Sequence, residues 1–176
     1  MSFEIDICNH QSLLRVAPGA IRRAIRKALR AERVRGAVVS VTIVDNAAIH
    51  KINRKHLQHD YPTDVISFSL EFLPGELYEE EDAVAVDDAT RGGRNEGLPA
   101  AGAVIEGEII ASAEMALQMA PECGWSADSE LLLYVVHGLL HLCGYDDLTP
   151  EDKQVMRGRE QEIMGSMGLK VVYLRE

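Results

Sequence analysis

Between positions 137 and 147 the chain reads His137-Gly138-Leu139-Leu140-His141-Leu142-Cys143-Gly144-Tyr145-Asp146-Asp147. No other stretch limits so sharply what the rest of the chain can be. Two histidines four apart on a helix project from one face, one turn above the other, so their ring nitrogens converge on one point. Gly144 supplies a left-handed stop just beyond, which turns the chain back towards that point. Asp146 and Asp147 follow, both able to ligate through oxygen. Two neutral nitrogens and one carboxylate suit zinc, and a fourth position left for water makes such a site catalytic rather than structural. A plainer reading stands beside this one, in which each ring is a satisfied, partly buried histidine on a core helix. The glycine and the acids at turn spacing favour the metal. Cys143 points away from the histidine face on a continuing helix and reads as a small apolar packing residue.

The helix bearing the pair also carries Leu131, Leu132, Val135, Val136 and Leu140 for packing, with Ser126 or Asp128 as its cap. Upstream, Phe3 to Cys8 alternates apolar and polar residues as a strand does. Pro18-Gly19 opens a helix whose Ala20, Ile21, Ala24, Ile25, Ala28 and Leu29 form one apolar stripe, with Gly36 as its expected end. Ala37 to Val44 is a continuous, β-branched run of the kind buried on both faces. Asp45 or Asn46 caps a second helix, with Ile49, Ile52 and Leu57 expected to face inward. After the Pro62-Thr63 turn, Asp64 to Leu70 and Val104 to Ala111 read as the third and fourth strands. Residues 74 to 102 read as a loop insertion. Helices from about Ser112 to Glu122 and from Thr149-Pro150 to about Met167 complete the pattern, and Leu169 to Leu174 forms a short apolar tail. Strands early, helices late and one metal helix in the core predict a single α/β (α+β) layered domain over residues 1–176, with four strands and about five helices.

With 176 residues the chain can build one well-formed core. No run is long enough to span a bilayer, and Glu4 and Asp6 at the start do not fit a secretory leader. Three widely spaced cysteines, Cys8, Cys123 and Cys143, argue against a disulfide framework and for a reducing cytoplasm. The net charge of −10 is unevenly spread. Residues 15–35 carry eight of the 18 basic side chains against Glu32 alone, while residues 76–96 carry eight acids against Arg91 and Arg94. A nucleic-acid partner is therefore compatible with the total, because a local field guides binding. On composition alone the basic helix reads first as a solvated face.

These features together resemble one family. The segment Asp60-Tyr61-Pro62-Thr63-Asp64-Val65-Ile66-Ser67-Phe68, Asn53 before it, Gly107-Glu108-Ile109, the His-Gly-x-Leu-His-Leu-x-Gly-Tyr-Asp run, and Met156 with Glu160 are similar to the YbeY family. Its members are metal-dependent endoribonucleases described as ribosomal RNA maturation factors. The resemblance covers nearly the whole chain. It implies a small α/β domain with one mixed sheet, one zinc ion held by three histidines, and cleavage of single-stranded RNA near the 3′ end of 16S ribosomal RNA. It also implies the small ribosomal subunit as partner, with no membrane or DNA involved.

Carried over by position, the resemblance makes His137, His141 and Asp147 the metal ligands and catalytic residues. Two positions depart from it. The family's third histidine is Asp147 here, which still ligates but makes the site more anionic and less Lewis-acidic. Asp146 beside it is a supporting partner or a substitute ligand. The family arginine placed five residues before the Pro-Thr pair, implicated in handling the scissile phosphate, is Leu57, leaving Arg54, Lys55, His56 or His59 to supply the cation. The RNA is expected along a groove lined also by Arg22, Arg23 and Arg26. Two rivals remain. The ligand spacing also suits a metallopeptidase, but Gly138 occupies the place of its general-base glutamate. Leu57 and Asp147 suit a non-catalytic ribosome assembly factor with a structural metal.

Overall fold

Among the described residues nine elements form, where the local signals are strongest. The structure, a computed structural model, describes residues 2–75 and 98–173. In chain order they are β1 (Ser2–Asn9), α1 (Pro18–Ala31), β2 (Gly36–Val44), α2 (Asn46–Leu57), β3 (Val65–Leu73), β4 (Val104–Ser112), α3 (Ala113–Cys123), α4 (Ala127–Leu142) and α5 (Pro150–Gly165). Most of the expected acidic insertion lies outside the described residues. Four helices start on a side chain that accepts a backbone N–H: Asp45, Ser112, Ser126 and Thr149. The remaining one, α1, has no such cap and starts on Pro18, whose missing N–H needs none.

The four described strands form one mixed sheet in the order β1-β2-β4-β3. β1, β2 and β4 run parallel, and β3 runs antiparallel along β4. The β-branched run sits in the middle of the sheet, as its composition requires. The main core lies between one face of the sheet and α1, α3, α4 and α5. A smaller cluster, Val44, Ile49, Ile66 and Ile110, lies under α2 on the other face. Beyond α2 that second face is open, and the register aligns Glu4 with Val38 and Glu106, and Asp6 with Ser40 and Glu108. It is therefore an acidic surface.

Three expectations change. β2 is an inner strand but is not buried on both faces, since Val38 is 44% exposed on the open one. α1 ends at Ala31 rather than at Gly36. Glu32 turns into the protein interior, Arg33 takes a left-handed φ of 55°, and Gly36 opens β2 instead. Leu57 does not face inward; it is 44% exposed at the last residue of α2. Asn53 is the buried residue on that turn, its side-chain amide donating to the Tyr61 carbonyl at 2.8 Å.

Candidate metal centre

α4 is buried along nearly its whole length, and its two histidines are among its few half-buried residues. The helix lies close against β3 and β4 because Gly138 has no side chain. A Cβ there would meet Ile109 Cγ2 at 3.0 Å and Val65 Cγ2 at 3.1 Å. The same contact explains why no glutamate follows the first histidine: the position faces the sheet and has no room. Past Leu142 the expected turn forms. Gly144 adopts φ 90°, its N–H reaches the His141 carbonyl at 2.9 Å, and the Tyr145 N–H reaches the Leu140 carbonyl at 3.1 Å.

That turn brings Asp147 back to the histidines. Its Oδ1 lies 3.7 Å from His141 Nε2 and its Oδ2 lies 3.8 Å from His137 Nε2. Donor atoms of the three residues all lie within 4.8 Å of one another. Asp146 is exposed, and its carboxylate accepts the Asp147 N–H at 2.8 Å. It shapes the turn instead of joining the donors. Cys143 is fully buried, as its position on the helix predicts.

Each ring is oriented from behind. His137 Nδ1 lies 2.6 Å from Glu160 Oε1, and His141 Nδ1 lies 3.1 Å from the Tyr145 carbonyl. Both partners accept, so each Nδ1 donates, and in the neutral form of either ring the lone pair is on Nε2, facing the other histidine. Those two Nε2 atoms are 3.0 Å apart, with the Asp147 carboxylate beside them. Two lone pairs and an anion repel one another unless a cation is shared among them. Tetrahedral zinc with bonds of about 2.0–2.1 Å sets its ligands about 3.4 Å apart, so the donor set fits the ion with small adjustments.

Glu160 is a buried carboxylate that also accepts the Tyr173 hydroxyl. At His137 burial opposes the charged imidazolium. The hydrogen bond and charge of Glu160, with Asp64 and Asp147 behind it, outweigh burial and raise the pKa above the ordinary histidine value. Burial, followed by the Glu160 bond, pushes the Tyr173 hydroxyl far up, so it stays a donor.

The centre sits where two cavities meet. One, about 410 Å³, lies between α3, α4, α5 and the segment ending at Tyr173. The other, about 480 Å³, runs along β3 and is lined by Leu57, Thr63, Ser67, Ser69, His137 and His141. Asp64 and His137 line both. Asp64 is fixed at the start of β3, where Oδ1 accepts from Thr63 Oγ1 at 2.9 Å and from the Val65 N–H at 2.8 Å.

Of the residues expected in the site, His137, His141 and Asp147 come together. Arg54, Lys55 and His59 are exposed near the end of α2, next to Leu57 on the groove but not lining it. Arg54 lies 3.9 Å from Asp60, and His59 stacks on Tyr61 with ring centroids 5.4 Å apart. His50, which has no partner pattern in the sequence, meets Asp60 at 2.8 Å. Arg22, Arg23 and Arg26 are elsewhere. α1 packs on β1, α4 and α5, and Arg22 Nε donates to the Ile5 carbonyl at 3.4 Å on the opposite sheet edge from β3.

The roles of Asp64, Glu160 and Tyr173 are not apparent from residue spacing. Glu160 left one trace, a lone carboxylate on the otherwise apolar stripe of Met156, Ile163 and Met164.

Comparison with known proteins gives the family. The family described as endoribonuclease YbeY matches residues 6–168. A Bacillus cereus protein named endoribonuclease YbeY is 40% identical over 150 residues, covering 85% of each chain. Another from a different Bacillus cereus strain is 37% identical over 171 residues, covering 96% of this chain and 99% of its own. A Thermotoga maritima protein solved in solution shares the fold at a TM-score of 0.53, with 21% identity over 93% of this chain and 91% of its own. By the extent of the family match and the identity to its members, the chain belongs to the YbeY family.

Proposed function

We propose that this protein is a single-strand-specific, zinc-dependent endoribonuclease. Its place is in ribosomal RNA maturation at the 3′ end of 16S ribosomal RNA, and in ribosome quality control with the small ribosomal subunit. The observation that carries this reading is the convergence of the two histidine Nε2 atoms, 3.0 Å apart, with Asp147 beside them, on a groove. The relatives' names, endoribonuclease YbeY, supply the substrate class. One zinc ion per chain is assigned to His137, His141 and Asp147. When bound, it supplies Lewis-acid stabilisation of charge building on the phosphate and makes water more acidic.

The chain's own residues do the rest. Glu160 and the Tyr145 carbonyl hold the two imidazoles in the tautomer that leaves Nε2 free to ligate. The acidic open face of the sheet repels RNA and leaves the side of β3 and α5 for it. Arg54 and Lys55 on the last turn of α2 and His59 just past it lie beside the groove-lining Leu57 in sequence and are assigned to the phosphates beside the cut. Arg22, Arg23 and Arg26 are assigned to flanking RNA. A cytoplasmic setting is supported by free Cys8, Cys123 and Cys143, and no described helix is long and apolar enough to cross a membrane.

One observation favours a second reading, a non-catalytic assembly factor with a structural metal: Leu57 puts an apolar side chain on the groove. The deciding experiment measures zinc content and cleavage of a single-stranded fragment from the 3′ end of 16S ribosomal RNA. The wild type is compared with His141→Ala and Asp147→Ala, with zinc restored after chelation. Stoichiometric zinc, with cleavage lost in both variants, is the expected result. Bound zinc with no cleavage under conditions where a three-histidine relative cuts would establish the assembly factor.

A further inference from the structure

We infer that the cavity between α3, α4 and α5 is a nucleobase pocket, which takes an unstacked base from a nucleotide next to the scissile phosphate. This rests on the nuclease reading of the metal centre. The cavity measures about 410 Å³, within the range small ligands occupy. Its walls are largely apolar, from Met119, Leu133, Tyr134 and Met156. Apolar walls that include the rings of Tyr134 and Tyr173 suit the faces of a base.

Charge sets the orientation. Asp64, Glu130 and Glu160 line the cavity together with Lys153 and Arg157, so its rim offers both acceptors and donors to a base edge. Glu130 is nearly fully buried and is held by the Trp125 indole N–H. On α5, Lys153 and Arg157 share one helical face with Met156 and Glu160, and both are half-buried in the lining. Arg157 lies over the Tyr173 ring, 4.6 Å from its centroid, which fixes that wall.

The cavity also continues into the metal centre, since His137 and Asp147 line it and His137 lines the β3 groove as well. A strand crossing the centre from the β3 groove thus has a pocket for its next base. Paired or stacked bases cannot enter, which makes the single-strand requirement a property of this pocket.

The test places one abasic ribose at each position flanking the cut in a single-stranded RNA. It adds Met119→Trp and Val172→Trp, which fill the pocket from different walls and touch no metal ligand. One abasic position should lower wild-type kcat/KM about ten-fold or more. Both variants should lose as much on intact RNA, nothing further on that abasic RNA, and no zinc. Equal cleavage of intact and abasic RNA at every position overturns the pocket, as do variant losses that add to the abasic loss. If the wild type cuts nothing, the nuclease reading fails separately, and RNA carrying 2-aminopurine then decides. Fluorescence quenching abolished by Met119→Trp sustains a base site, and absence of quenching, or quenching that survives Met119→Trp, overturns it.

Discussion

The Tyr145 hydroxyl donates to Glu32 Oε2 at 2.7 Å, joining residues 113 positions apart. Glu32 is fully buried just past α1, where Arg159 Nε and Nη2 also reach its Oε1 at 3.0 and 2.6 Å. The carbonyl of the same Tyr145 faces His141 Nδ1. A chain of hydrogen bonds thus links the His141 ring to the ion pair between Glu32, just past α1, and Arg159 of α5. Tyr145→Phe removes the hydroxyl and leaves the carbonyl. Zinc affinity should fall by about ten-fold, the lower end for such outer partners, with the fold retained. Competition with a chromophoric chelator measures it, and unchanged affinity would mean that the helix cap alone places the carbonyl.

Glu160 serves two donors at once, His137 Nδ1 and the Tyr173 hydroxyl. A glutamine offers one oxygen and sets an NH2 against the other donor. Glu160→Gln should weaken zinc binding by about 10- to 100-fold while circular dichroism stays native. Zinc retained at wild-type affinity would remove Glu160 from the support of the site.

Asp147 makes the donor set more anionic than three imidazoles. Asp147→His should raise kcat on single-stranded RNA a few-fold and keep zinc bound, because a neutral ligand leaves the ion a stronger Lewis acid. A lower kcat with zinc still bound would show that the carboxylate is suited to this centre.

Leu57 lines the β3 groove near the histidines and is largely exposed, so a longer side chain fits there. Leu57→Arg should tighten RNA binding and steepen the dependence of log K on log salt by about 0.7, one phosphate contact on a single strand. Neutralising Arg22, Arg23 and Arg26 together should flatten the same slope by about 2 if each holds a phosphate. Fluorescence anisotropy over a salt series reads both, and an unchanged slope in the triple variant removes α1 from the RNA path.

Gly138 lets α4 lie against Ile109 and Val65. In Gly138→Ala the added methyl must push two β-branched side chains aside in a packed interior. The expected cost is about 1–3 kcal/mol, seen as a lower Tm. Zinc affinity should fall too, because α4 carries two of the three donors. A wild-type Tm would show that the contact relaxes freely.

The sequence by itself determined what is decided within a few residues along the chain. Helical periodicity puts His137 and His141 on one face in any fold, and Gly144 then returns Asp147 to them through a left-handed turn. The β-branched run of β2, the Ser126 and Thr149 caps and the buried Cys143 are legible for the same reason, since each answers to its own neighbours. Only the tertiary structure decided the end of α1, the exposure of Leu57, and which carboxylates serve the site. Glu32 ends α1 early because Arg159 and Tyr145 meet it inside, and spacing cannot show partners more than a hundred residues away. Glu160 supports His137 from 23 residues on only because α5 packs back over α4. Arg22 of α1 reaches the Ile5 carbonyl at the β1 edge of the sheet, whereas α4 lays its histidines towards β3 and β4, a separation set by the strand order. Local hydrogen bonding and side-chain phase build the donor pair; packing of distant segments selects what surrounds it.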